Sequence, residues 1–278
     1  GLGFGLLTWL GLGIINPTGM IAFTFFFIAY ALAVGGLLAS TLHLGNPQRF
    51  LKAFSQWKTS WLSREAWLSV AALMVMGFYA LGAIFFDTHI RFLGVIGAAL
   101  SVATVGATSM IYAQLRAVPR WNHWTTVVLF LAFSLGGGAL LAGQLMLAGV
   151  LMLVLGAAMV ASWILGDTQF SDRASTIETA TGLGKIGKVR LFEAPHTGTN
   201  YLMREMIHVV ARKHVTKLRV ISLTCASILP AVILLAMPAG HVSGLIAVAL
   251  HLLGAFAARW LFFAQAEHVV GLYYGERG

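Results

Sequence analysis

The chain has 278 residues, 59% of them hydrophobic and 10% charged, with a net charge of +9 and a mean hydropathy of +0.85. An ordinary soluble domain carries about 25% charged residues, so a water-soluble fold of this size could not hide so much apolar surface. The single cysteine, Cys225, excludes an internal disulfide and an iron–sulfur cluster held by this chain alone.

Several runs of about 20 residues lack a formal charge, enough to cross a bilayer as helices. A β-barrel would show segments of about 10 residues with alternating polarity instead. The reading is an all-α polytopic membrane protein, a bundle of eight transmembrane helices. In chain order the spans are 1–16, 19–43, 66–86, 92–114, 123–142, 144–165, 217–238 and 242–264. The first, GLGFGLLTWLGLGII, reaches only about 22 Å as a helix, short of the roughly 30 Å hydrocarbon core. Either a turn is missing at its front or the span is tilted. Asn16-Pro17-Thr18, Phe86–Arg91 and MPAGH at 237–241 are turns, and Gly143-Gln144 is barely one. The chain reads as a single integral membrane domain, with 166–216 as a cytoplasmic loop and helix extension within it. There, Met203, Met206, Ile207 and Val210 fall at helical spacing, so this helix should run straight into the seventh span.

Eight spans put both termini on one side. The loops 44–65, 115–122 and 166–216, the start of span seven and the C-terminal tail share that side and hold 16 of the 18 Lys and Arg residues. The positive-inside rule makes it the cytoplasmic side, with both termini cytoplasmic; the membrane expected is the bacterial inner membrane. The net charge is therefore topological. No compact basic domain exists to bind nucleic acid.

Gly182-Leu-Gly184-Lys-Ile-Gly187 matches G-x-G-x-x-G, but the dinucleotide fingerprint needs a preceding strand and a following helix; the stretch reads as a docking loop. Among the histidines, His43 and His123 lie at the cytoplasmic ends of spans two and five, His89 and His241 in turns on the opposite side, and His251 nearer that opposite side within span eight. No pair inside the membrane is obviously level, so no haem and no metal site are expected, with a bis-His haem as the weaker alternative.

The stretch LHLGNPQRFLKAFSQWKTSWLSREAW (42–67) concentrates His43, basic residues and Glu65 between two apolar runs. Polar residues at membrane ends are ordinary, and Arg49, Lys52 and Lys58 also serve as topology signals. Yet His43 ends span two and Glu65 opens span three, so the hairpin can bring them together. At the same level stand Tyr112, Gln114, Trp121, His123 and Arg259. A charged residue so near lipid usually faces a cavity or a partner. Such a cluster suits a membrane quinone, whose reduction takes two electrons and two protons at two carbonyl oxygens. Histidine titrates near neutrality, a buried Glu can join it, and Trp57, Trp61 and Trp67 could wall the ring. The chain has no evident electron carrier, so electrons would come from another subunit. A small-solute transporter would want polar groups and broken helices near the midplane, whereas here the ionisable groups gather at one surface. A purely structural anchor differs only in whether His43 and Glu65 matter.

LHLGNPQR followed by Ser60-Trp-Leu62-Ser63-Arg-Glu65 resembles the signature of the membrane anchor subunits of dimethyl-sulfoxide-reductase type molybdoenzymes. The resemblance extends over nearly the whole chain in span count and loop placement. It implies an eight-helix anchor without haem, passing electrons between quinone (ubiquinone or menaquinone) and a ferredoxin-like, four-cluster iron–sulfur subunit docked on the cytoplasmic face. The molybdopterin catalytic subunit would be reached through that partner. It places the quinone-site histidine on His43, the functional glutamate on Glu65 and a basic motif position on Arg49. Trp61, Tyr112, Gln114 and Arg259 complete the expected site. YAQLRAVPRWNHW (112–124), 182–206 and RWLFFAQAEHVVGLYYG (259–275) are similar to the branch that anchors a cytoplasmic, membrane-bound sulfite dehydrogenase, which oxidises sulfite and reduces quinone. The other branch, anchors of S- or N-oxide reductases that oxidise menaquinol, is the alternative. Gln265 stands where that sulfite branch leads one to expect an acidic residue.

Overall fold

A computed structural model describes residues 1–41, 47–173, 175–193, 214–238 and 240–274, with the backbone alone at 41, 47–50 and 274. The described residues form helices and turns with no strand. The long helices are α2 (Gly19–Thr41), α3 (Trp61–Phe85), α4 (Arg91–Ala113), α5 (Trp124–Leu141), α6 (Leu145–Asp172), α7 (Val215–Ala236) and α8 (His241–Ala264), preceded by a short α1 (Leu2–Gly11). Among the described residues, seven helices are long and apolar enough to cross a membrane.

The first expected span differs for a local reason. α1 stops at Gly11, and Gly13 adopts a left-handed φ of 70°. Gly13 N–H donates to Leu10 O and Ile14 N–H to Trp9 O. This reversed pairing is the Schellman way of ending a helix with glycine. Ten residues give α1 about 15 Å of length, half a hydrocarbon core. Gly143 repeats the device between α5 and α6, with φ 70° and bonds from Gly143 N–H to Leu140 O and Gln144 N–H to Ala139 O. A near-absent connection thus suffices to reverse the chain.

The helices pack as two halves. Leu6, Leu7, Leu10, Phe26, Met76 and Tyr79 fill the core among α1 to α4. Leu140, Met152, Leu155, Met159, Ala226 and Leu234 fill that among α5 to α8. α1 joins the halves by lying against both α4 and α5. A Cβ on Gly138 would strike the Gly5 backbone, so the approach of α1 to α5 requires glycine there. Trp9 Nε1 donates to Leu135 O at 2.9 Å across the same seam. The outer faces expose Met20, Phe27, Met146, Leu245 and Phe256, a surface that only lipid tolerates over such an area.

α7 is not uniformly α-helical. Thr224–Ile228 forms a π turn, and it packs on α8, where a Cβ on Gly254 would meet the backbone of Cys225 and Ala226. The imidazole of His251 on α8 pairs with Ala226 O at 2.8 Å. The π turn is thus held by side chain and backbone together.

Candidate functional site

One end of the bundle collects the start of α3, the end of α4, the 114–123 turn and the end of α8. Glu65 lies near the start of α3, half-buried. It accepts a hydrogen bond from Thr108 Oγ1 of α4 at 2.6 Å. One helical turn further along α4, the Tyr112 phenol oxygen accepts from Arg259 Nη2 of α8 at 2.6 Å. The guanidinium sits among four rings, with centroids of Tyr112, Phe130, Phe262 and Phe263 at 4.9, 5.2, 5.3 and 4.6 Å. Trp121 stacks on Phe262 at 5.1 Å and 7°, and its Nε1 donates to Phe262 O at 3.1 Å.

Ring faces attract a cation but accept no strong hydrogen bond. Of the five guanidinium N–H groups, the one to Tyr112 is the strong bond here. Among the described residues no carboxylate forms an ion pair with Arg259, although Glu65 lies within its electrostatic reach. A cation and a carboxylate thus face one region from two helices, each held by a hydroxyl of α4. The arrangement can donate to an oxygen at one end and exchange a proton at the other.

The other expected site residues are placed differently. Trp61 opens α3 and carries the Arg64 guanidinium over its ring at 4.4 Å. Arg64 in turn ties down the preceding turn through Trp57 O at 3.0 Å and Lys58 O at 2.7 Å. Gln114 caps the C-terminal end of α4 with its side chain exposed. Arg49 lies in the 3-10 segment Pro47–Phe54, its side chain outside the described residues, and His43 lies outside them altogether. Thr108 was not anticipated, and neither were Phe130, Phe262 and Phe263 as a cage. Thr104, Thr108 and Tyr112 recur every four residues along α4, a hydroxyl-bearing stripe at helical spacing that could have signalled it.

A second polar cluster braces the same end. Asp167 of α6 accepts from Arg120 at 2.5 Å and from Arg219 of α7 at 2.6 and 2.9 Å. α6 accordingly runs to Asp172, past the expected end at 165, because cations from outside the helix neutralise Asp167. Gln265 is buried, and with its amide oxygen toward the guanidinium it accepts from Arg219 Nε at 3.0 Å. The amide therefore supplies the acceptor that an acidic residue would supply at this position. A cavity of about 30 Å³ lies behind Arg120, reached by Thr126, Ser162, Trp163 and Gln265. His123 accepts from Thr125 N–H at the start of α5; burial and the nearby charge of Arg173 hold its imidazole below the usual histidine range, in the neutral form that an acceptor needs.

No group of three or more His, Cys, Asp or Glu side chains able to hold a metal occurs among the described residues. The glycine-rich stretch follows a one-turn helix, Ile177–Thr181, and no strand, so the dinucleotide fingerprint lacks its context there.

The described residues thus form an all-helical membrane bundle whose donors and carboxylate gather at one end. The family profile "DMSO reductase anchor subunit (DmsC)" matches residues 19–272, and the chain belongs to that family. Among curated proteins, a sulfite dehydrogenase subunit of Allochromatium vinosum is 28% identical over 274 residues, covering 89% of this chain and 84% of that protein. No solved structure gives a significant match.

Proposed function

We propose that this chain is the quinone-reactive anchor subunit of a membrane-bound iron–sulfur molybdoenzyme that couples sulfite oxidation to quinone reduction. Family membership and likeness to a sulfite dehydrogenase subunit support the assignment. The observation that carries the quinone site is the pairing of Glu65–Thr108 with Arg259–Tyr112 at one end of the bundle. Sulfite and water give sulfate, two electrons and two protons in the catalytic subunit. The electrons pass through an iron–sulfur partner, and quinone takes them up with two protons from the cytoplasmic side.

In this reading Arg259 donates to one quinone oxygen from its aromatic cage, where exclusion of water strengthens the interaction. His43 exchanges a proton with the other oxygen, and Glu65 relays protons between His43 and water. Arg49 stands on the same rim, while Trp61 and Gln114 border the entrance. The short first helix is the eighth membrane element, and the basic end faces the cytoplasm. Residues 166–216 form the docking side within a single membrane domain. There Lys185, Lys188 and Arg190 are exposed beside Ile186 and Phe192, a basic and apolar surface for the iron–sulfur subunit.

The test uses the whole complex. Glu65→Gln should lower sulfite-to-quinone turnover about 100-fold, the usual scale for losing a positioned proton-transfer group, while sulfite oxidation with a soluble dye acceptor stays at the wild-type rate. Equal quinone turnover in wild type and variant would remove Glu65 from the mechanism. Absence of any sulfite activity in the intact complex would redirect the assignment to S- or N-oxide reduction.

A further inference from the structure

We propose that Thr108 is a positioning residue that keeps Glu65 hydrogen-bonded in both of its protonation states. The inference rests on the reading of Glu65 as a proton-relaying group and names the device that serves it.

Thr108 Oγ1 has two acceptors in reach, Glu65 Oε1 at 2.6 Å and Thr104 O at 2.9 Å. A hydroxyl carries one proton and two lone pairs, so it cannot donate to both at once. With Glu65 ionised, the Thr108 proton points to the carboxylate. With Glu65 protonated, its O–H donates to the Thr108 oxygen, and the Thr108 proton turns to Thr104 O. Only a hydroxyl rotates between the states; no heavy atom moves.

Threonines in apolar helices ordinarily bond the carbonyl four residues back. Thr8, Thr24 and Thr104 do so, to Phe4 O, Met20 O and Leu100 O. Thr108 has that carbonyl within reach and, in addition, a carboxylate from another helix. The other charge acting on Glu65 is that of Arg259 from α8. Tyr30 of α2 donates to Leu73 O, and Lys52 of the adjoining 3-10 segment is exposed. Among the described residues, the rotating hydroxyl is the partner within reach of the protonated form.

Infrared titration of the assembled complex tests this directly. The C=O stretch of protonated Glu65 is assigned by its disappearance in Glu65→Gln. Thr108→Val removes the hydroxyl, and Thr108→Ala does so with less bulk should valine disturb assembly. Either should move the band to higher frequency, as expected for a carboxyl that loses a partner. Its midpoint should move up by about one pH unit, tenfold in proton affinity, and the pH profile of quinone turnover should follow. Thr108→Ser should restore both. An unmoved band in Thr108→Val and Thr108→Ala, or serine behaving like valine, overturns the proposal. Because the band reports on the Thr108–Glu65 pair without turnover, it separates this failure from a failure of Glu65 to act on quinone.

Discussion

Arg259 shows how a single residue acquires a meaning that its neighbours in the chain do not disclose. Its place near the end of an apolar run is compatible with a side chain reaching for the headgroups. Instead, four rings, one of them also through its phenol oxygen, hold it inside the bundle. Those rings come from α4, α5 and α8, so only tertiary packing assembles the cage. Arg259→Gln should therefore reduce quinone turnover by about 10²-fold, the scale for removing one preorganised donor, with dye-linked activity retained. Tyr112→Phe keeps the rings and removes the acceptor, so its loss should be smaller. Equal losses, measured side by side with purified complexes, would mean that the hydroxyl rather than the cation matters. Glu65 was legible because a carboxyl at the head of an apolar run is conspicuous. Thr108 was not, because a hydroxyl in a membrane helix is commonplace and its partner lies 43 residues away.

At the scale of the element, hydropathy located the long spans because bilayer thickness demands about 20 apolar residues whatever their order. It failed at the ends. α3 begins at Trp61 and α6 continues to Asp172, since a helix may extend beyond lipid when its polar turns find partners. Residues 201–213, expected to extend the seventh helix, lie outside the described residues. The π turn of α7 leaves no mark in composition, yet its contact with α8 is demanding. Gly254→Ala would drive a methyl against the backbone of Cys225 and Ala226, at a cost of about 1–3 kcal/mol. A lower apparent melting temperature in detergent is the expected result. Gly106→Ala is the control, because nothing lies within 4 Å of the added carbon, and it should leave the melting temperature unchanged or slightly raised. Equal behaviour of the two variants would show that the α7–α8 approach is loose.

For the whole molecule, the proposed orientation rests on charge asymmetry. Among the described residues, the end that holds Arg120 and Asp167 also carries Arg116, Arg173, Lys217 and Arg219, and the opposite end holds Arg91. Cysteine labelling in a Cys225→Ser background checks this with an impermeant reagent. Lys188→Cys should react in inverted membrane vesicles stripped of the partner subunits and be shielded in intact spheroplasts. Asp87→Cys should do the reverse. Labelling of both from one side would contradict the helical course from α3 to α7.

The π turn also fixes an angle. Such a turn carries one residue more than the α-helical path it interrupts, and one residue is about 100° of helix rotation. The half of α7 that bears Lys217 and Arg219 is therefore set out of phase with the half that begins at Leu229. Deleting one residue within Thr224–Ile228 would leave α7 apolar, helical and long enough to insert. It would nonetheless swing Arg219 away from Asp167 and Gln265 while Leu234 kept its place in the core. A change invisible to any hydropathy profile would thus unclasp the end of the bundle where the electron-carrying partner is proposed to dock.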